Sequence, residues 1–111
     1  MEFSPEITKK IQELQILEQN LQNFLMQKQN FQVEDNEILN ALEELSKSGD
    51  EVYRILGGIM IKTDRNKLIK DLEEQKKIIN LRIQSLEKQE KSIEEKSSVL
   101  QSEIQKSIGK K

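Results

Sequence analysis

Catalytic chemistry starts from a nucleophile, a base or a metal ligand, and this sequence offers little to build one. It has no His and no Cys among 111 residues. That removes the usual nucleophile–base pairs, thiol chemistry and the common zinc sites. The carboxylate pairs Glu43–Glu44 and Glu94–Glu95 remain. Adjacent helix positions point in different directions, so neither pair can converge on one substrate atom. Gly57–Gly58 lacks the spacing, and the following Lys and Ser, of a phosphate-binding loop. No catalytic site, cofactor or metal site is expected. What remains is the chemistry of surfaces: which apolar side chains the chain covers itself, and which need another molecule.

The apolar residues have to be placed within a polar chain. The sequence is 34% hydrophobic and 34% charged, with three Phe, one Tyr and no Trp. A compact globular core of this length needs more aromatic volume, while a disordered chain would lack the spaced Leu and Ile. Long helices that bury one narrow stripe fit both facts. The net charge of −2 gives no overall positive field to attract nucleic acid or an anionic membrane. Met1 to Glu6 lacks a basic region followed by an apolar run. The most apolar stretch, Ile55 to Ile61, falls far below the roughly 20 residues that span a bilayer. A soluble, cytoplasmic protein is expected.

Helix breakers cluster in few places: Pro5, Gly49, Gly57, Gly58 and Gly109. Ser4 and Pro5 predict a helix start, with Ser4 as the cap and Pro5 where a missing N–H costs nothing. A first helix is predicted over 5–46. Its apolar residues are Ile7, Ile11, Leu14, Leu17, Leu21, Phe24, Phe31, Ile38, Leu42 and Leu45, with Lys28 and Asp35 in the gaps. This is a heptad seam with one irregularity near Leu14–Leu17. A second helix is predicted over 64–108, capped by Thr63. It has Leu72, Ile79, Leu86, Ile93 and Leu100 at heptad spacing, and Lys76, Glu90 and Ser97 interrupt the companion positions. Glu73–Lys77 and Glu87–Lys91 have the spacing of helix ion pairs.

Between the helices, residues 51–62 read E-V-Y-R-I-L-G-G-I-M-I-K. Two apolar runs about a Gly-Gly turn predict a β-hairpin, because a two-residue turn needs positive φ. Positions equidistant from that turn should face one another. Leu42 then meets Leu68, Ile38 meets Leu72, Phe31 meets Ile79, Phe24 meets Leu86 and Leu17 meets Ile93. The seams match in register. The fold class is therefore mostly α, a long antiparallel coiled-coil hairpin with one short β-hairpin between its helices, as a single unit over 1–111. Asp35 falls opposite Gln75–Lys76, either as a polar pair that fixes register or as solvated charges beside the seam.

The hairpin is the more informative end. Leu56, Ile59, Ile61 and Val52 share one face, and Tyr53, Ile55 and Met60 the other. A two-stranded ribbon alone is marginal, and its free edges invite further strands. Helix ends can cover one face only. Val52, Tyr53, Ile55, Leu56, Gly57, Gly58, Ile59, Met60 and Ile61 are therefore candidate subunit-assembly residues. At the opposite ends of the helices, Phe3, Ile7, Ile11, Leu100, Ile104 and Ile108 should cluster. Frayed ends expose such residues intermittently, though the same residues would also serve simply to close the coiled coil.

A long amphipathic helix, then Tyr53-Arg54-Ile55-Leu56-Gly57, then Ile59-Met60-Ile61-Lys62-Thr63, then a second long helix resembles a prefoldin subunit of the beta class over essentially the whole chain. A single β-hairpin suggests beta, since the alpha class carries two. The resemblance implies a hexamer of two alpha and four beta subunits, joined through their hairpins. It implies an ATP-independent chaperone that holds unfolded polypeptides between helix tips and delivers them to a group II chaperonin. On that reading the tip residues become client contacts. Without the resemblance, a coiled-coil tether or oligomerisation scaffold explains the same residues.

Overall fold

The computed structural model describes residues 4–109. The element order is α1 (Pro5–Lys47), β1 (Glu51–Leu56), β2 (Ile59–Asp64) and α2 (Arg65–Gly109). The fold is a long antiparallel coiled-coil hairpin with a two-stranded ribbon between its helices. Ser4 starts α1 as its composition demands: the Ile7 amide donates to Ser4 Oγ at 3.2 Å and the Thr8 amide to the Ser4 carbonyl at 3.0 Å.

The end of α1, the end of the ribbon and both ends of α2 differ by one or two residues from the sequence reading. Strand β2 continues through Thr63 to Asp64, so Thr63 is not the cap of α2. Asp64 takes that role, its carboxylate accepting from the Lys67 amide at 3.3 Å. The β-branched Thr63 pairs across the ribbon with Val52, which keeps it extended. The end of α1 is closed from elsewhere in the chain. Arg65 Nε donates to the Leu45 carbonyl at 2.7 Å and Arg65 Nη2 to the Ser46 carbonyl at 3.3 Å. A guanidinium at the first position of α2 thus satisfies carbonyls that the last turn of α1 leaves open.

The chain divides into two compact units. The first, Asn30–Ile83, holds the ribbon and the helix segments that flank it. Its core is Leu45, Val52 and Leu68, with Ile69 and Leu72 packed against them. Gly57 and Gly58 have φ of +55° and +79°, the left-handed conformation that a two-residue turn of this kind requires at both central positions. The register pairs Leu56 with Ile59, Ile55 with Met60, Arg54 with Ile61 and Tyr53 with Lys62, as the symmetric turn predicts. In the seam, Lys76 Nζ donates to Asp35 Oδ1 at 2.8 Å, so these two charges form a pair. Arg82 lies over the Phe31 ring at 5.7 Å, a cation–π contact that shields a half-buried aromatic.

The second unit comprises Met1–Gln29 with Gln84–Lys111. Leu86, Ile93 and Ile104 are buried there, and Ile7, Leu14, Leu17, Leu21 and Phe24 are half-buried. The seam is more regular than the apolar residues alone suggest. Lys10 is half-buried and occupies the seam position between Ile7 and Leu14, so steps of three and four run unbroken. Its ammonium lies 3.4 Å from Glu103. Lys28 pairs with Glu90 at 3.0 Å, and Glu90 is itself buried. The ion pairs expected at Glu73–Lys77 and Glu87–Lys91 do not form. The closed pairs instead join different elements or cross the ribbon.

Candidate interaction surfaces

The ribbon alternates side chains between two faces, and the chain treats those faces differently. Val52 is buried against Leu45 and Leu68, and Thr63 beside it is half-buried. Arg54 reaches from the same face towards Asp71, 3.7 Å away. Beyond that point the chain provides no cover. Tyr53, Ile55, Leu56, Ile59, Met60 and Ile61 are 44% to 68% exposed. Six large apolar side chains on two six-residue strands, at that exposure, make a greasy surface of the kind that marks a protein contact. The edges carry unpaired backbone groups as well. Of the assembly candidates, only Val52 is spent inside its own chain, where it anchors the ribbon.

In the second unit the residues expected at the helix ends differ in burial. Ile104 is buried, Ile7, Ile11 and Leu100 are half-buried, and Ile108 is exposed. Phe3 lies outside the described residues. A groove of about 610 Å³ opens between the helices, floored by Leu17 and Leu100 and walled by Ile16 and Val99. Glu13, Glu95 and Lys96 lie on its lining with Ser92. Ile16 and Val99 are each 58% exposed. The seam reading passed over both because they fall one position off the heptad. Their signal was the doublets Ile16-Leu17 and Val99-Leu100: an apolar residue beside a seam residue widens the stripe beyond what one opposing helix covers.

Unsatisfied polar groups sit in the same unit. Glu90 Oε1 and Ser97 Oγ are buried and have no hydrogen-bond partner among the described residues. A buried oxygen without a donor costs on the order of 1–3 kcal/mol, so this seam holds less tightly than an all-apolar one. No helix among the described residues is long and apolar enough to cross a membrane.

A coiled-coil hairpin with an exposed apolar ribbon between its helices is a defined class of protein, and comparison with known proteins places this one in it. A family profile described as "Prefoldin subunit" matches residues 8–111, and the chain belongs to that family. Membership makes it a chaperone subunit rather than an enzyme, one that assembles with other prefoldin subunits. Within the family its relatives are of the beta type. It is 35% identical to prefoldin subunit beta of Methanosarcina acetivorans over 99% of this chain and 96% of that one. It is 38% identical to prefoldin subunit beta of Thermoplasma volcanium, covering 92% of this chain and 85% of that one. The crystal structure of the prefoldin beta subunit from Thermococcus strain KS-1 superposes with a TM-score of 0.86. That match has 32% identity and covers 95% of this chain and 94% of the other.

Proposed function

We propose that this chain is the beta-type subunit of an ATP-independent holdase, a hexamer of two alpha and four beta subunits. It captures unfolded polypeptides with its helix ends and passes them to a group II chaperonin. The observation that carries the reading is the uncovered ribbon: Tyr53, Ile55, Leu56, Ile59, Met60 and Ile61 are left exposed by the described residues of their own chain. Alpha subunits and other beta subunits supply that cover, with Gly57 and Gly58 shaping the turn that enters the contact. A cytoplasmic location belongs to the same proposal.

Client capture is assigned to the helix ends and to the groove beside them. Phe3, Ile7, Ile11, Leu100, Ile104 and Ile108 form the terminal set, and Ile16, Leu17 and Val99 extend it. A single groove of this kind binds an apolar segment weakly and without sequence specificity. Several arms acting on one unfolded chain multiply weak contacts into a useful hold. Rim charges such as Glu13, Glu95 and Lys96 keep the surface hydrated when it is empty.

The test is an aggregation assay on a denatured substrate protein, with the chain assembled with an alpha-class subunit. Stoichiometric suppression of aggregation, indifferent to ATP, is expected. A coiled-coil tether would give none. Deleting residues 1–11 and 100–111 should leave the assembly intact and abolish holding. Unchanged holding after that deletion would remove the helix ends from the mechanism.

A further inference from the structure

The turn at Gly57–Gly58 already decides which residues of the two helices face one another. Charges in the seam are not needed for register, and the two seam pairs differ. In the ribbon unit, Asp35 and Lys76 keep 20% and 29% of their side chains exposed. In the helix-end unit, the Glu90 side chain is 10% exposed, and its Oε1 has no partner among the described residues. Ser97 lies two helical turns further along the same stripe of α2 and buries a second oxygen without a partner. Among the described residues, no such oxygen lies on the ribbon side of Glu90.

Apolar closure is also weaker from Glu90 outward. The buried residues of α1 are Ile38 and Leu45, both in the ribbon unit. In the helix-end unit, the α1 seam residues Leu14, Leu17, Leu21 and Phe24 are half-buried. Opening the outer turns uncovers apolar surface. It also admits water to Ser97 Oγ and Glu90 Oε1, whose new hydrogen bonds offset part of the loss. That gain ends at Glu90. One step further would break the 3.0 Å bond from Lys28 Nζ to Glu90 Oε2 and uncover the buried Leu86, and no further orphaned oxygen would be hydrated.

We propose that the seam of the helix-end unit opens as one segment, from the helix ends up to the Lys28–Glu90 pair, and that this pair is the stop. The open segment presents Leu14, Leu17, Leu21, Ile93 and Leu100 to an unfolded chain. The inference rests on the client-capture reading above and names what regulates that site. A closed seam keeps these side chains out of water between clients, and the stop limits how much of each helix takes part. Lys28 and Glu90 act by position, since neither has to touch the client.

The test is hydrogen exchange of the full chain, read by mass spectrometry of its fragments. Amides of residues 9–27 and 91–108 should exchange at a common rate, about tenfold or more faster than those of 31–45 and 66–88, with a step at the pair. Lys28→Met leaves Glu90 without its donor and should move the step towards the ribbon, bringing residues 84–89 into the fast segment. Lys28→Leu with Glu90→Leu and Ser97→Ala removes the orphaned oxygens and the buried charges. It should slow exchange of the outer segments about tenfold and lower suppression of client aggregation severalfold. Unchanged helix content by circular dichroism checks that both variants fold. A smooth gradient from the helix ends would overturn the proposal. So would a step that ignores Lys28→Met, outer exchange unchanged in the triple variant, or a slowed triple variant that holds client like the parent. The capture reading fails by a different measurement: holding that survives deletion of residues 1–11 and 100–111.

Discussion

The ribbon unit and the helix-end unit use the same seam chemistry and leave it in different states. Each inserts an ion pair into an apolar stripe: Asp35–Lys76 at 2.8 Å in one, Lys28–Glu90 at 3.0 Å in the other. In the ribbon unit the pair is partly hydrated, and a third element, the base of the ribbon, packs over Leu45 and Leu68. In the helix-end unit the described residues supply no third element. Glu90 is buried with one oxygen paired and the other not, Ser97 adds a second orphan, and a groove opens between Ile16 and Val99. Two helices alone can close a narrow stripe but cannot also cover its flanks. The ribbon unit therefore carries its exposed apolar surface on the ribbon, where its shape is defined. The helix-end unit carries it along an imperfectly closed seam. A surface of defined shape suits lasting contact, and an imperfectly closed seam suits brief contact.

If this contrast is right, variants in the two units should separate assembly from holding. The largest effect belongs to the ribbon. Ile59→Lys with Ile61→Lys should abolish the mixed assembly, seen by native mass spectrometry, while helix content changes little. A surviving hexamer would refute the ribbon's role. Next comes the buried pair of the helix-end unit. Lys28→Met leaves Glu90 without its partner and should cost about 2–4 kcal/mol in urea unfolding. Adding Glu90→Leu should recover that loss and exceed the parent stability, since an apolar pair needs no desolvation of charge. Leu68→Ala empties the core under the ribbon and should cost about 2–3 kcal/mol, with helix-end holding per assembled particle unchanged. A small cost there would mean the ribbon base is not packed as described. Ile16→Asp with Val99→Asp should reduce suppression of client aggregation severalfold at nearly constant stability, because both side chains are already exposed. Equal holding by this variant would confine client contact to the extreme helix ends. The smallest effect is at the turn: Gly58→Ala places a side chain at φ +79° and should cost about 1 kcal/mol.

Much of this architecture could be read before any coordinates. Helix, ribbon, helix followed from where Pro and Gly stand and from the change of apolar period between them. The ribbon register followed from Gly57–Gly58, because a two-residue turn with both φ values positive admits one pairing. The exposed ribbon was legible for the same reason: apolar residues on both faces outnumber what one pair of helices can cover. The groove at Ile16 and Val99 was missed because a heptad count asks which residues lie on the seam. It ignores those one step off it.

Local pattern thus specified the elements, their order and the side of each helix that turns inward. These depend on neighbours within one or two turns, and the chain carries that information directly. Three features required the folded chain. One is Arg65 closing the last turn of α1 across a connection of many residues. Another is the choice of Lys10 as a seam residue. The last is the pairing of Lys28 with Glu90, and the closing of Asp35 on Lys76 where the register equally allowed two solvated charges. Each depends on how far a long side chain reaches once two distant segments lie side by side. Distance across a fold is a property of packing, and spacing along a sequence does not contain it.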